Sequence, residues 1–280
     1  MTVDVHAHTS YSDGSGIPLM VDAAEAAGLD AVGFTDHCSL SEAWRDERLL
    51  WNRNFDRTYV RRRTALSIVA DRTDLAIYDA VEMDYERELE AAIAGFLDEA
   101  GFDYAIGSVH YVAGRQVFPF ESFADASDAE RRAFVDDYYD AVVSLVESEL
   151  FDVLAHADLI ENHPALRGLT TDAHRGRVAA ACADSRTVPE INAGRAGDRG
   201  EFDLFHPTEP LLEAFRDRDV EFVVGTDSHD PADFADRVPR LERFLDETGI
   251  EPLAVEEILG DSGGDRPDAP AGPSDPSEVS

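Results

Sequence analysis

Strand-like apolar runs and helical stretches alternate about seven times along this chain, and no other feature limits its fold so tightly. The runs occupy residues 3–9, 30–35, 75–85, 102–110, 151–157, 188–192 and 220–226. Between and after them lie segments of helical composition: 18–27, a stretch from about 59 to 71, 88–100, 129–148, 172–184, 208–217 and 232–248. Gly28 and Gly101 stand where two of these helices should stop. Residues 113–128 read as a polar loop, and 253–255 as a last extended piece. Consecutive parallel strands need crossover helices, so the pattern predicts an α/β fold with a parallel sheet under covering helices. Seven such units close more readily into a barrel than they spread into an open sheet. No repeat of fixed sequence period is visible, which excludes a solenoid.

Residues 1–259 suit one barrel domain, and 260–280 turn to Asp, Ser, Gly and Pro with almost nothing to bury. That acidic, proline-rich tail is expected to be disordered. No apolar run is long enough to span a bilayer, and no signal peptide precedes the first strand, so a cytoplasmic protein is expected. Two cysteines make no disulfide framework. Cys182 reads as a small core residue. Cys38 reads as a small loop residue, with a place near a site as the alternative.

The formal charge is −35, and all 24 strong bases are arginine. The acids are spread along the chain rather than gathered in one block, which points to adaptation to a high-salt, halophilic setting rather than to an acidic binding surface. A broad nucleic-acid surface needs a basic stripe and is not expected. Unscreened acids repel, so dilute buffer should unfold or inactivate the protein. Circular dichroism across a salt series checks this; a fold indifferent to salt up to molar concentrations contradicts it.

The candidate chemistry sits at strand ends. His6 and His8 are two apart in a strand and so project from one face, as half of a metal's coordination sphere. Asp36 and His37 end the second run, Glu82 the third, His110 the fourth, and Asp227 and His229 the seventh, while His156 lies near the end of the fifth. Six of the nine histidines thus share one rim, the carboxyl face where barrels of this kind keep their active sites. Each alone has an ordinary structural reading; together they point to metal. Nitrogen and oxygen ligands without thiolate suit Zn, Mn or Fe and hydrolysis. Neither a serine nucleophile elbow nor a phosphate-cradling glycine loop is present, so direct attack by water is expected. Arg195, just after the sixth strand, is placed either to pair with a phosphate or to make a surface ion pair. Arg61, Arg62 and Arg63 read as a solvated helix face, with a phosphate-guiding patch as the alternative. His163, His174 and His206 read as loop or helix-start residues, although rim loops can touch a substrate.

These motifs resemble the PHP (polymerase and histidinol phosphatase) family. The match runs from His6-Ala7-His8-Thr9 through Thr35-Asp36-His37, Glu82, Ser108-Val109-His110 and His156 to Asp227-Ser228-His229. Within the family the chain looks most like the stand-alone histidinol-phosphatases, through Val81-Glu82-Met83-Asp84-Tyr85, Ile106-Gly107-Ser108-Val109-His110, the segment 151–160, and Glu190-Ile191-Asn192-Ala193-Gly194-Arg195. The resemblance implies a distorted (β/α)7 barrel with a trinuclear divalent metal site of Zn, Mn or Fe. It implies that His6, His8, Glu82 and Asp227 hold one metal, and that Glu82 bridges to a second with His110 and His156. His37 and His229 hold the third, with Asp13 where some members have a further histidine. Asp36 is taken to orient a histidine. The implied reaction is hydrolysis of L-histidinol phosphate to L-histidinol and phosphate by metal-activated water. A phosphoesterase acting on another small ester, such as a nucleotide, stays open. So do a non-catalytic metal-binding PHP module and an amide-hydrolysing metalloenzyme, the last needing no phosphate-binding arginine. The partner expected is a small phosphorylated substrate, with no membrane; the residues leave the oligomeric state open.

Overall fold

The computed structural model describes residues 1–50, 52–112, 114–117, 123, 125–194 and 205–259. Arg195 and the tail 260–280 lie outside the described residues. In chain order the strands are β1 (Val3–Ala7), β2 (Ala31–Phe34), β3 (His37–Cys38), β4 (Ala76–Asp79), β5 (Val81–Asp84), β6 (Ala105–Ser108), β7 (Tyr111–Val112), β8 (Arg115–Gln116), β9 (Val153–Leu154), β10 (Val188–Asn192) and β11 (Val223–Gly225). The helices are α1 (Ile17–Ala26), α2 (Arg45–Leu50), α3 (Tyr59–Ala70), α4 (Glu90–Ala100), α5 (Asp128–Glu147), α6 (Asp172–Ala183), α7 (Glu209–Arg216), α8 (Pro231–Thr248) and α9 (Val255–Ile258).

Parallel pairing runs β1-β2-β4 in one sheet and β11-β10-β9-β6-β5-β3 in another. The ring closes where Asp227 N donates to His6 O at 2.7 Å and His8 N to Ser228 O at 2.8 Å. The result is a distorted (β/α)7 barrel, the closure that the alternation of runs favours and the distortion that the family resemblance implies. The distortion lies in the second and third staves. Residues 75–85 read as one strand but break at Ala80, and the second run breaks at Thr35 and Asp36, so that β2 pairs β4 while β3 pairs β5. The break turns Asp36 out of its ladder and into the first loop, with consequences described below.

Three apolar layers account for the rest. Val5, Ile106, Val153 and Val223 pack together at one end of the barrel against Val255 and Ile258 of α9. Of the segment expected to be extended at 253–255, Ala254 keeps an extended backbone and Leu253 N donates to Phe222 O at 2.8 Å, while Val255 opens the short helix that brings Val255 and Ile258 onto the strand residues together. Phe151, Phe215, Tyr139 and Leu145 belong to the larger layer under α5, α6 and α7, and Met20, Phe34, Leu66 and Phe234 to the layer under α1, α3 and α8. Cys182 belongs to the first of these layers, and Cys38 is fully buried in β3 rather than in a loop. Gly101 ends α4 at φ +57°, a left-handed backbone that costs glycine little. Ser127 opens α5 with a reciprocal capping box to Glu130. The polar loop at 113–128 contributes β8, paired antiparallel with β7. No helix among the described residues is long and apolar enough to cross a membrane.

The arginine triplet departs from its reading as a solvated face. Arg62 is fully buried on α3, in line with Leu66 one turn on. Its guanidinium donates to Asp36 Oδ2 at 2.7 Å, to Asp79 Oδ1 at 2.5 Å and to the Ala80 carbonyl, and lies 4.1 Å over the Phe55 ring. Arg63 pairs with the other Asp79 oxygen at 2.6 Å, and Arg61 alone is exposed. A buried cation persists only with such pairing.

Candidate metal centre

Every residue expected to hold metal lies in one mouth, at the carboxyl ends of the staves. His6 and His8 project from the end of β1 as the strand period requires, with Nε2 atoms 3.1 Å apart. His8 Nε2 is 3.1 Å and His6 Nε2 3.7 Å from Asp227 Oδ1, and the same two nitrogens lie 3.6 and 3.5 Å from Glu82 Oε2. Ligands about 2.0–2.1 Å from a tetrahedral cation are separated by roughly 3.3–3.4 Å. Those five separations, 3.1 to 3.7 Å, bracket that value. Two imidazole nitrogens facing two carboxylate oxygens at such spacing fit a divalent cation.

Two further groups adjoin the first. His37, Glu82 and His110 form one, and His8, Asp13, His37 and His229 the other. Glu82 stands at the junction. Its Oε2 faces His6, His8 and also His37 Nδ1 at 2.6 Å; its Oε1 faces His156 Nε2 at 3.1 Å and His110 Nε2 at 3.6 Å. Glu82 Oε2 is buried without a hydrogen-bond partner among the described residues, a costly state that a cation would relieve. Asp13 Oδ1 is 3.4 Å from His229 Nε2, and Asp13 Oδ2 is 3.6 Å from His37 Nε2. The arrangement is a multi-metal donor set.

The imidazoles are held from behind. Glu190 Oε2 is 2.9 Å from His6 Nδ1, and Asp84 Oδ1 is 2.6 Å from His110 Nδ1. His229 Nδ1 donates to the Asp227 carbonyl at 2.8 Å. Each bond leaves Nε2 aimed at the cluster and fixes the tautomer that a metal needs. The other Glu190 oxygen accepts from His156 N at 2.9 Å and Asn192 Nδ2 at 2.7 Å. The close fit of His6 and Glu190 depends on Gly225, where a Cβ would lie 2.6 Å from both Glu190 Oε2 and His6 Cβ. His156 and Asp227 hold left-handed backbones, φ +22° and +53°, immediately past strands β9 and β11. Each conformation costs on the order of 1–3 kcal/mol and turns the side chain into the mouth.

Burial disfavours every charge here, and the outcome depends on neighbours. Burial opposes ionisation of Glu82, yet His37, His6 and His110 hold it well below the usual carboxylate range. Asp227 is likewise held low against burial by His6, His8 and His229. Burial, His229 and His37 push His8 down to about 4, while Asp13 and Asp227 raise His229 to about 9 against its own burial. Glu82 and Asp227 are therefore held anionic and His8 neutral, the charge states that metal ligation would require.

Asp36 does not orient a histidine directly. Its oxygens accept from Thr9 N and Oγ1 at 2.8 and 2.7 Å, from Ser12 Oγ at 2.7 Å and from Arg62. Against burial, Arg62 keeps its carboxyl below the usual range. Asp36 thus pins the first loop, which carries Asp13, and reaches His8 only through Ser12, whose Oγ is 3.5 Å from His8 Nδ1. The strand break at Asp36 is the reason.

Five residues without a sequence-derived role belong here. Asp84 lies two residues beyond Glu82, where the rule that picks out His6 and His8 would find it; Glu190 and Asn192 are also two apart, in β10, but no other site signal in that strand marks either as a starting point. His206, expected in a turn, is buried in the cavity wall with Nδ1 2.6 Å from Asp158 Oδ1 and Nε2 2.7 Å from Asn162 Nδ2. Arg53 also lines the cavity, and no sequence signal marks it. His163 is buried, its ring edge-on to Phe123, and His174 caps α6 and reaches Asp136 at 2.9 Å.

The PHP domain profile matches residues 4–184. The "Probable histidinol-phosphatase" of Deinococcus radiodurans is 28% identical over 255 residues, covering 85% of this chain and 92% of that protein. The protein of the same description from Clostridium acetobutylicum is 22% identical over 267 residues, covering 92% and 98%. In structure, the chain is similar to histidinol phosphate phosphatase from Lactococcus lactis, solved with zinc, L-histidinol and phosphate: TM-score 0.68 at 21% identity, covering 90% of this chain and 95% of that one.

Proposed function

This chain belongs to the PHP domain family, and from that premise we propose that it is a metal-dependent phosphatase converting L-histidinol phosphate to L-histidinol and phosphate. The observation that carries the hydrolytic reading is Glu82, whose two oxygens face separate sets of imidazoles within one mouth. The substrate rests on the relatives described as probable histidinol-phosphatases, whose sequences align with this chain over nearly their full length. We take the site as trinuclear, for Zn, Mn or Fe: His6, His8, Asp227 and Glu82 at one position, Glu82, His110 and His156 at a second, and His37, His229 and Asp13 at a third. Cations bound there would lower the pKa of water and neutralise charge on the phosphoryl oxygens.

The chain's own residues do the rest. Glu82 and Asp227 supply fixed negative charge that compensates the cations. Glu190 and Asp84 keep His6 and His110 in their ligating tautomers. Exposure to water falls off into the cluster: the Asp227 side chain is 19% exposed and that of Glu82 1%. Asp36 and Arg62 hold the first loop, so that Asp13 stays facing His37 and His229. In the net reaction the phosphorus–oxygen bond to histidinol breaks, water oxygen bonds to phosphorus, and one water proton ends on the alkoxide. Arg195 remains a candidate partner for the phosphate. The charge of −35 fits a cytoplasm rich in salt.

Steady-state kinetics in molar salt test the substrate, with L-histidinol phosphate compared against a panel of phosphomonoesters that includes nucleotides. We expect kcat/KM for histidinol phosphate to exceed that for every other ester. An equal or higher value for a nucleotide overturns the assignment and leaves a phosphoesterase of different specificity.

A further inference from the structure

The cavity inside the cluster has a volume of about 160 Å3, and among the described residues Arg53 is the only arginine on its wall. Pockets that enclose a whole small ligand usually run from roughly 300 Å3 upward, so this one suits a terminal phosphoryl group with the rest of an ester projecting from the mouth. Arg53 is anchored beside β3: its N–H donates to Arg48 O at 2.8 Å, and its carbonyl accepts from Ser39 N at 3.2 Å. Its side chain is 22% exposed, and its nearest carboxylate oxygen, Asp84 Oδ2, is 4.0 Å away. No hydrogen bond from the guanidinium reaches any described residue. Other buried or half-buried arginines spend donors: Arg48 meets Asp56 at 2.9 Å, Arg175 meets Asp172 at 2.7 Å and Arg62 meets Asp36 at 2.7 Å, while Arg131 donates to the Phe123 carbonyl and Arg167 to the Glu161 carbonyl. In a chain with 59 acidic residues, a guanidinium that faces an anionic cluster and spends no donor on it is placed for something else.

We propose that Arg53 is a phosphate-binding residue, whose unspent N–H donors face the cavity in which the ligand cluster would seat a phosphoryl group. This rests on the reading of the site as a phosphatase. Asp84 ties the two halves together: one oxygen orients His110, and the other faces Arg53. The guanidinium is therefore referenced to the same carboxylate as a metal ligand. Its planar fork can donate two parallel bonds to phosphate oxygens, which a lysine cannot.

The test uses the full chain, loaded with metal, in molar salt. Bound metal is counted, and inorganic phosphate is titrated by calorimetry, for wild type, Arg53→Met and Arg53→Lys. Metal content should be equal in all three. The phosphate dissociation constant should rise about tenfold or more in Arg53→Met, the scale of a lost charge-assisted hydrogen bond, and by less in Arg53→Lys. Unchanged phosphate affinity in Arg53→Met overturns the inference. So does metal loss in both variants, which would place Arg53 behind Asp84 and His110 instead. Phosphate binding is read here without turnover. A chain that ignores histidinol phosphate yet binds phosphate through Arg53 sinks the substrate assignment and keeps this one; the converse result does the opposite.

Discussion

Glu82→Gln is expected to lose more than one equivalent of bound metal per chain and at least about a hundredfold in turnover, the scale seen when groups supporting a metal site are removed. The residue is singular in this mouth. Its Oε2 lies 3.5, 3.6 and 2.6 Å from His6, His8 and His37, and its Oε1 lies 3.1 and 3.6 Å from His156 and His110. Glutamine keeps the size but replaces one oxygen with an amide that aims protons at imidazole lone pairs. It also removes the negative charge that offsets the cations. No neighbour can take over, because the other carboxylates near the cluster reach only one side of it. Metal analysis of the purified variant, with circular dichroism to confirm its fold, reads the first effect; kinetics on the phosphorylated substrate reads the second. Full metal with near-normal turnover would remove Glu82 from its bridging place, and the mechanism with it.

What could be read in advance follows from what spacing reports. The i, i+2 rule says which side chains share a face of one strand, and it found His6 and His8. It says nothing about which strand lies across the barrel. Glu190 orients His6 from 184 residues away, and Asp227 meets His8 from 219 away. Asp227 was found because it sits at a strand end among histidines; Glu190 was missed because its place in β10 looks like any other inside a strand. The seven staves were legible from alternation alone. The breaks at Asp36 and Ala80 were not, since each depends on partners across the ladder: Ala80 N bonds Phe34 O, and Glu82 N bonds both Thr35 O and Asp36 O. His206 reads as a turn residue before proline, and only the buried carboxylate of Asp158 makes it a wall of the site. Arg62 failed for the same reason. In a triplet of arginines on a helix one residue can point inward, and what decides is whether a paired acid waits there.

Arg62→Met should destabilise the fold by about 3–5 kcal/mol at neutral pH, as removal of one partner from a buried ion pair does. Methionine fills much of the space over the Phe55 ring, so packing loss is kept small. What it leaves behind is a buried Asp36 with no cation, beside the half-buried Asp79. The sign of the pH dependence follows. In the wild type Arg62 depresses the Asp36 pKa below its unfolded value, so that carboxylate contributes stability above the unfolded pKa and loses it as pH falls through the folded one. Without Arg62, only the Thr9 and Ser12 hydrogen bonds and His8 are left to oppose burial, and the folded pKa rises from its wild-type value. Ionised Asp36 then costs the variant stability relative to wild type, and the penalty shrinks as acid protonates it. Denaturant unfolding in molar salt at pH 7 and pH 5 should therefore show the gap between wild type and variant narrowing toward pH 5. The first loop also loses its anchor, because Asp36 holds Thr9 and Ser12 on either side of the turn that leads to Asp13. On the proposed trinuclear reading, the metal assigned to Asp13, His37 and His229 should be the first released. A variant as stable as wild type, with an unchanged gap at the two pH values and full metal, would mean that the Arg62 pairs are structurally idle and that something else holds the loop.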